Sequence, residues 1–262
     1  MTLEDSGDLD YVSPAMGFQE DHFSGHAGDY AAHRPTYPRQ LFKYLASIAP
    51  NTELAWDCAT GNGQAAVALA DSFDRVIATD ASLPQLEAAA SHPRVRYQHM
   101  PAESVPLAAA SIDLVTVAQA LHWFDVEAFY LEVKRVLRPN GILAVWCYGF
   151  SVITPEIDAL VRTFNMETVG PYWPEKRCHI DSGYTTLPLP FTPLDSPAFE
   201  MKLEWTLEQF LAYLRTWSSV KRYMAEHESD PVNELASSLG TMWGQQTRGV
   251  VWPLTLKAGC PQ

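Results

Sequence analysis

Residues 54–64 read Leu54-Ala55-Trp56-Asp57-Cys58-Ala59-Thr60-Gly61-Asn62-Gly63-Gln64, a short apolar run that passes through a small-residue turn into a helical pattern. Gly61 and Gly63 let a backbone approach a ligand closely, and the helix that follows offers unpaired N–H groups and the positive end of its dipole. Around this turn, short apolar runs alternate with helical spacing. Leu54–Cys58, Arg75–Thr79, Val95–His99, Ile112–Ala118 and Ile142–Cys147 read as strands, and Gln64–Asp71, Leu83–Ser91 and Val126–Leu137 as helices, the last stopped by Pro139-Asn140-Gly141. That alternation implies a parallel sheet with helices on both faces, and in such sheets ligands lie beyond the carboxyl ends of the strands, near the switch in strand order.

Outward from this core, Leu41, Phe42, Leu45, Ile48 and Ala49 recur at helical spacing until Pro50 stops them. Residues 1–20 carry Glu4, Asp5, Asp8 and Asp10 without apolar periodicity and are expected to be a mobile tail. After Gly149 the regular beat breaks. A helix is expected over 155–169, then a proline-rich pocket wall, a strand over 199–205, helices over 207–220 and 232–243 inserted between the last two strands, and a final strand over 250–257. The expected organisation is one domain over 21–262, with a lid and helix at 21–50, a ligand-binding core at 51–150 and acceptor-pocket elements with the last strands at 151–262.

The 262 residues hold 18 Lys and Arg against 31 Asp and Glu, a formal charge of −13, which is the wrong sign for tracking a phosphate backbone. Nucleic acid is therefore not an expected partner, and no apolar run is long enough to suggest a membrane span. The acidic start, Met1-Thr2-Leu3-Glu4-Asp5, is unlike a signal peptide and points to a cytoplasmic protein. Cys58, Cys147, Cys178 and Cys260 are scattered, as reduced thiols are, without a zinc or disulfide pattern. His22, His26 and His33 with Asp29 have metal-like spacing, but Gly25 and Gly28 weaken any helix that would bring them together, so no metal is expected.

Asp80 closes the second strand about 20 residues beyond the glycine turn, where a carboxylate can accept from both hydroxyls of a ribose or cap the next helix. Pro101-Ala102-Glu103 ends the third strand, placing a backbone amide and a carboxylate at the same edge. A nicotinamide-binding turn would follow a GxGxxG pattern, which this one does not.

These elements, with Gln119-Ala120-Leu121-His122-Trp123-Phe124 and Leu137-Arg138-Pro139-Asn140-Gly141, together resemble a class I S-adenosylmethionine (SAM) dependent methyltransferase. The likeness covers roughly Trp56–Trp146 and is nearest the methyltransferase type 11 group, including its trans-aconitate methyltransferase-like branch. It implies a Rossmann-like α/β three-layer sandwich on a mostly parallel seven-stranded sheet with an antiparallel last strand, N-terminal lid helices and a C-terminal helical insertion. It also implies SAM as cofactor and S-adenosylhomocysteine as product. By position, Asp57 would lie near the methionine amino group, Ala59, Gly61 and Gly63 under the cofactor, Asp80 on the ribose, Ala102 and Glu103 on adenine, and Gln119 and His122 beside the methionine portion. Ala59 stands where the family usually has its first glycine.

A second likeness is the lead-in Tyr30-Ala31-Ala32-His33-Arg34-Pro35-Thr36-Tyr37-Pro38, which in related methyltransferases folds over the cofactor. Tyr30, Arg34 and Tyr37 are thus candidate lid residues, with Arg34 suited to a methionine carboxylate or an acidic substrate. Trp123 has two open roles, against adenine or sealing the core, and His122 two, as a base or as an orienting group. Arg215 is a candidate for a substrate carboxylate. The expected reaction is methyl transfer to a small-molecule acceptor, an oxygen of a carboxylate or hydroxyl, by a monomer or homodimer. The other reading kept open is a SAM-binding protein without turnover that acts through a protein partner.

Overall fold

A computed structural model of the protein describes residues 34–261. Eight strands make one sheet: β1 (Leu54–Cys58), β2 (Arg75–Asp80), β3 (Val95–His99), β4 (Ile112–Ala118), β5 (Leu137–Tyr148), β6 (Thr192–Leu194), β7 (Phe199–Trp205) and β8 (Arg248–Cys260). Their order is β3-β2-β1-β4-β5-β8-β6, with β7 also on β8. The first five are parallel. β8 runs antiparallel to β5 along Leu254–Gly259, and on its other side it pairs with β7 through its first half and β6 at its end. The chain leaves β1 toward β2 and β3, then returns to β4 on the opposite flank. The order therefore reverses between β1 and β4, which is where a ligand crevice opens in this architecture.

Three crossovers supply helices α2 (Gln64–Leu69), α3 (Leu83–Glu87) and α4 (Val126–Val136), and α1 (Arg39–Ile48) precedes β1. The period of two in β5 sorts its side chains cleanly. Ile142, Ala144, Trp146 and Tyr148 enter the core shared with α1 and α2, whereas Leu143, Val145 and Cys147 enter the core shared with α4. Beyond β5 come α5 (Pro155–Thr163), α6 (Arg177–Asp181), α7 (Leu207–Arg215), α8 (Ser218–His227) and α9 (Val232–Trp243). Helices α7–α9 form the expected insertion between the last two strands. Trp205, Tyr213, Trp217, Trp243 and Trp252 are all buried there as core, with the Trp252 indole donating to the Tyr213 hydroxyl at 3.1 Å. No helix among the described residues is long and apolar enough to cross a membrane.

The expected elements differ from the observed ones where side chains override local pattern. The sheet gains an eighth strand, β6, inside the proline-rich stretch; Pro193 is tolerated because the strand is short and lies at the sheet edge. The single helix expected over 207–220 breaks at Thr216-Trp217, where the Thr216 hydroxyl donates to the Tyr213 carbonyl at 2.6 Å and Trp217 turns extended. The helix expected over 155–169 ends at Thr163 and continues as a π turn over Phe164–Thr168. β5 begins at Leu137, so the Arg-Pro-Asn-Gly segment lies inside the strand. Arg138 there reaches buried Asp113 at 2.9 Å and Glu53 at 2.8 Å, while Asp113 also accepts from the Glu53 and Leu54 amides. This cluster ties the amino ends of β1, β4 and β5, at the edge of the sheet opposite the glycine turn.

Candidate active site

The site grows from the carboxyl ends of the parallel strands. At the end of β1 Asp57 is 1 % exposed, and its carboxylate accepts from the Thr60 hydroxyl at 2.5 Å and the Thr116 hydroxyl at 2.7 Å. Burial pushes its pKa up to about 6; the two hydroxyls oppose that rise and the nearby negative charge of Asp80 adds to it.

The turn that follows uses three left-handed backbones, Ala59 at φ +54°, Gly61 at +57° and Gly63 at +83°. Gly63 is required twice over. Apart from its φ, a Cβ there would fall 2.1 Å from the Tyr97 hydroxyl, which packs under the turn and donates to the Ala90 carbonyl at 2.8 Å. Gly61 by contrast is open, a Cβ on it meeting only Gln85 Oε1 at 3.8 Å. Asp80 reaches across from β2: Oδ2 accepts from the Gly61 amide at 2.7 Å and Oδ1 from the Ser82 amide at 2.8 Å. The carboxylate thus braces both the glycine turn and the start of α3.

Ala102 is buried beyond β3, and Glu103 Oε1 accepts from the Asp125 amide at 3.0 Å, holding the lead into α4. Gln119 follows β4 at φ +59°. Its side-chain amide is engaged with the Tyr148 backbone, so its contribution to the site is to shape the strand ends.

His122 sits in a 3-10 turn, 6 % exposed, with Nδ1 3.2 Å from the Tyr184 hydroxyl and its ring tilted on Trp123 at 4.7 Å. Burial, then the positive charges of Arg177, His179 and Lys176, push its pKa down to about 3. A general base works best with a pKa near the working pH, so this imidazole is poorly suited to that role and well suited to an orienting one. Trp123 is half-buried, tilted against His122, with the Lys176 ammonium 6.0 Å from its ring centroid.

The lead-in is fastened over this edge. Gln64, the first residue of α2, accepts from the Tyr37 amide and donates to the Pro35 carbonyl, both at 3.3 Å. Tyr37 meets Trp146 edge-on at 5.4 Å, and Arg34 donates to the Tyr148 hydroxyl at 3.2 Å and the Thr216 carbonyl at 3.4 Å, over the face of Tyr213. Tyr30, the acidic tail and His22, His26, Asp29 and His33 lie outside the described residues.

Arg215 must be corrected. Its Nε donates to Asp230 at 2.7 Å and its Nη2 to Asn233 at 3.1 Å, so it joins α7 to the start of α9 and is not placed with the groups above. Sequence reading also missed residues that the site depends on. Thr60 and Thr116 were hidden because hydroxyls carry no spacing signal, and Tyr97 because its partner Gly63 lies across two strands. Gln64 could have been found, since it directly follows the glycine turn.

The family model described as a methyltransferase domain matches residues 56–145. A Dictyostelium discoideum protein named as a methyltransferase is 34% identical, over 84% of this chain and 85% of its own. A Saccharomyces cerevisiae protein named as an S-adenosylmethionine-dependent methyltransferase is 23% identical, over 77% of this chain and 84% of its own. A solved structure described as a type II methyltransferase from Anaeromyxobacter dehalogenans is 41% identical, with TM-score 0.82, covering 87% of this chain and 99% of that one. None of these names an acceptor.

Proposed function

The chain belongs to the methyltransferase-domain family of class I SAM-dependent methyltransferases, and on that basis we propose that it transfers a methyl group to an oxygen of a small-molecule acceptor, a carboxylate before a hydroxyl. The observation that carries the reading is Asp80 Oδ2 on the Gly61 amide at 2.7 Å. It fixes a carboxylate beside an open glycine turn at the switch in strand order, where an acid can accept from the hydroxyls of a ribose.

The residues present fit the cofactor. Asp80 would hold the ribose hydroxyls, Ala102 and Glu103 would border adenine, and Asp57, oriented by Thr60 and Thr116, would receive the methionine ammonium. Gly61, open above its backbone, leaves room for close approach. SAM, when bound, supplies a methyl group on a sulfonium whose positive charge is lost as the new bond forms.

The chain's own contribution is then alignment and exclusion of water. Gln64 straps the Arg34–Tyr37 lead-in to the turn, and Arg34 fastens it to β5 and the α7–α8 junction. Burial makes His122 a weak base, which favours an acceptor that needs no proton removed. A carboxylate is already nucleophilic at neutral pH, which is why it stands ahead of a hydroxyl.

The test supplies SAM labelled in its methyl group together with panels of small carboxylates and phenols, alongside calorimetry of SAM binding. Label recovered as a base-labile ester of a small acid supports the reading. SAM binding with label transferred to none of the panel favours the binding protein without turnover, and label recovered only on protein substrates sinks the small-molecule assignment.

A further inference from the structure

In a chain of net charge −13, cations gather at one place beside the candidate site. Lys176 and Arg177 stand side by side there, Lys176 Nζ donating to the Trp123 carbonyl at 3.4 Å, and both push the pKa of His122 down. Most other described arginines near the sheet are committed: Arg138 to Asp113 and Glu53, Arg135 to Glu132, Arg215 to Asp230 and Arg248 to the Trp243 and Met242 carbonyls. Arg177 is committed only through Nε, which meets the half-exposed Asp181 at 3.0 Å. Its Nη1 and Nη2 make no hydrogen bond among the described residues.

The guanidinium is nevertheless held in place. Its carbon lies 4.3 Å from the centroid of Trp173 and 5.6 Å from that of Phe150. Trp173 is locked by its indole donating to Asn165 at 2.7 Å, and both rings pack on buried Trp217. Phe150 lies just beyond β5, after Gly149, and α6, which carries Arg177, packs on the turn that holds His122. A planar donor fork is thus fixed on an aromatic wall near the ends of β4 and β5, with Nη1 and Nη2 unpaired among the described residues.

We propose that Arg177, held by its stack on Trp173 and Phe150, is the specificity anchor of the methyl acceptor, binding an anionic group of it. This rests on the methyl-transfer reading for the word acceptor, but the anchor itself is measured by binding alone. The acceptor class it selects is a small anion, and neutral counterparts of the same shape are discriminated against.

The experiment measures binding of benzoate, cinnamate and indole-3-acetate, each against its primary amide, to the full chain saturated with S-adenosylhomocysteine. Variants are Arg177→Gln, Arg177→Lys and Asp181→Asn, each checked for an unchanged melting temperature. At least one carboxylate is expected to bind about tenfold tighter than its amide in the native protein, a preference of the size a charge-assisted hydrogen bond gives. Arg177→Gln should abolish the preference without changing SAM affinity, and Arg177→Lys should keep part of it.

Asp181→Asn separates anchoring from a structural ion pair. Freed of its partner, Arg177 should bind the carboxylate more tightly, so the two neutralising variants act in opposite directions. Loss of affinity in both, or no carboxylate out-binding its amide in the native protein, overturns the proposal. Arg177-dependent binding without methyl transfer would leave the anchor standing and remove the methyl-transfer reading.

Discussion

The Gln119 side chain pairs with the Tyr148 backbone as a strand would, donating from Nε2 to the carbonyl at 2.9 Å and accepting from the amide at 3.3 Å. Its own amide meets the Trp146 carbonyl at 2.9 Å, so one residue extends the β4–β5 ladder past the point where β4 ends. Tyr148 is buried, and truncation of Gln119 would leave two of its backbone groups without a partner. Gln119→Ala is expected to lower stability by about 2 kcal/mol in urea unfolding. Gln119→Glu, which keeps the acceptor but turns the donor into an acceptor facing the Tyr148 carbonyl, should be no better. An alanine variant as stable as native would show that the pairing contributes nothing.

Ala59 adopts a left-handed backbone at φ +54°, a conformation that strains an L side chain by roughly 1–2 kcal/mol. Ala59→Gly should remove the strain, partly offset by the greater freedom of glycine in the unfolded chain. The expected gain is up to about 1 kcal/mol, read as a higher urea midpoint at unchanged slope, with SAM affinity preserved. A lower midpoint would mean that the Ala59 methyl makes packing contacts worth more than the strain.

Much of this was written in the sequence, for identifiable reasons. The alternation of short apolar runs with helical patterns fixed the parallel strands because buried parallel strands have little other way to read. The Gly61–Gly63 turn and Asp80 were legible because backbone strain and strand-end position each leave a residue-type signature. Arg215 misled because an exposed arginine in an acidic chain looks available until Asp230, fifteen residues on, is seen to fold back to it. Arg177 went unnoticed for the converse reason. Its significance lies in the stack on Trp173 and Phe150, and the distance to Phe150 along the chain carries no periodicity. The break at Thr216-Trp217 was hidden by a helical pattern that continues on both sides of it.

The Arg215–Asp230 pair is half-open, with side chains 39% and 17% exposed. Arg215→Ala should therefore cost about 1 kcal/mol or less and leave SAM and acceptor affinity unchanged. Asp230→Ala should cost more, because Asp230 Oδ1 also accepts from the Val232 amide at 3.0 Å at the start of α9. Thermal unfolding of the two variants gives the comparison. A loss of acceptor binding in Arg215→Ala at native-like stability would return Arg215 to the site.

Asp57 connects stability to ligand binding through one proton. Its folded pKa, about 6, lies above the ordinary 3.8, so the folded chain holds this proton more tightly than the unfolded chain does. The associated stability is fully present below about pH 4 and is lost as pH rises toward 6. Asp57→Asn, which carries no charge to bury, should match the native protein near pH 4 and exceed it above pH 7, by on the order of 1–3 kcal/mol. An ammonium placed beside Asp57 would pull its pKa down again. SAM binding should then release a proton near pH 6, seen as dependence of the calorimetric enthalpy on buffer, and affinity should weaken as pH falls below 6. The Asn variant should bind SAM weakly and without that dependence. If it proved less stable than native at pH 8, or kept the native pH profile, Asp57 would be neither the buried charge nor the ammonium partner described above.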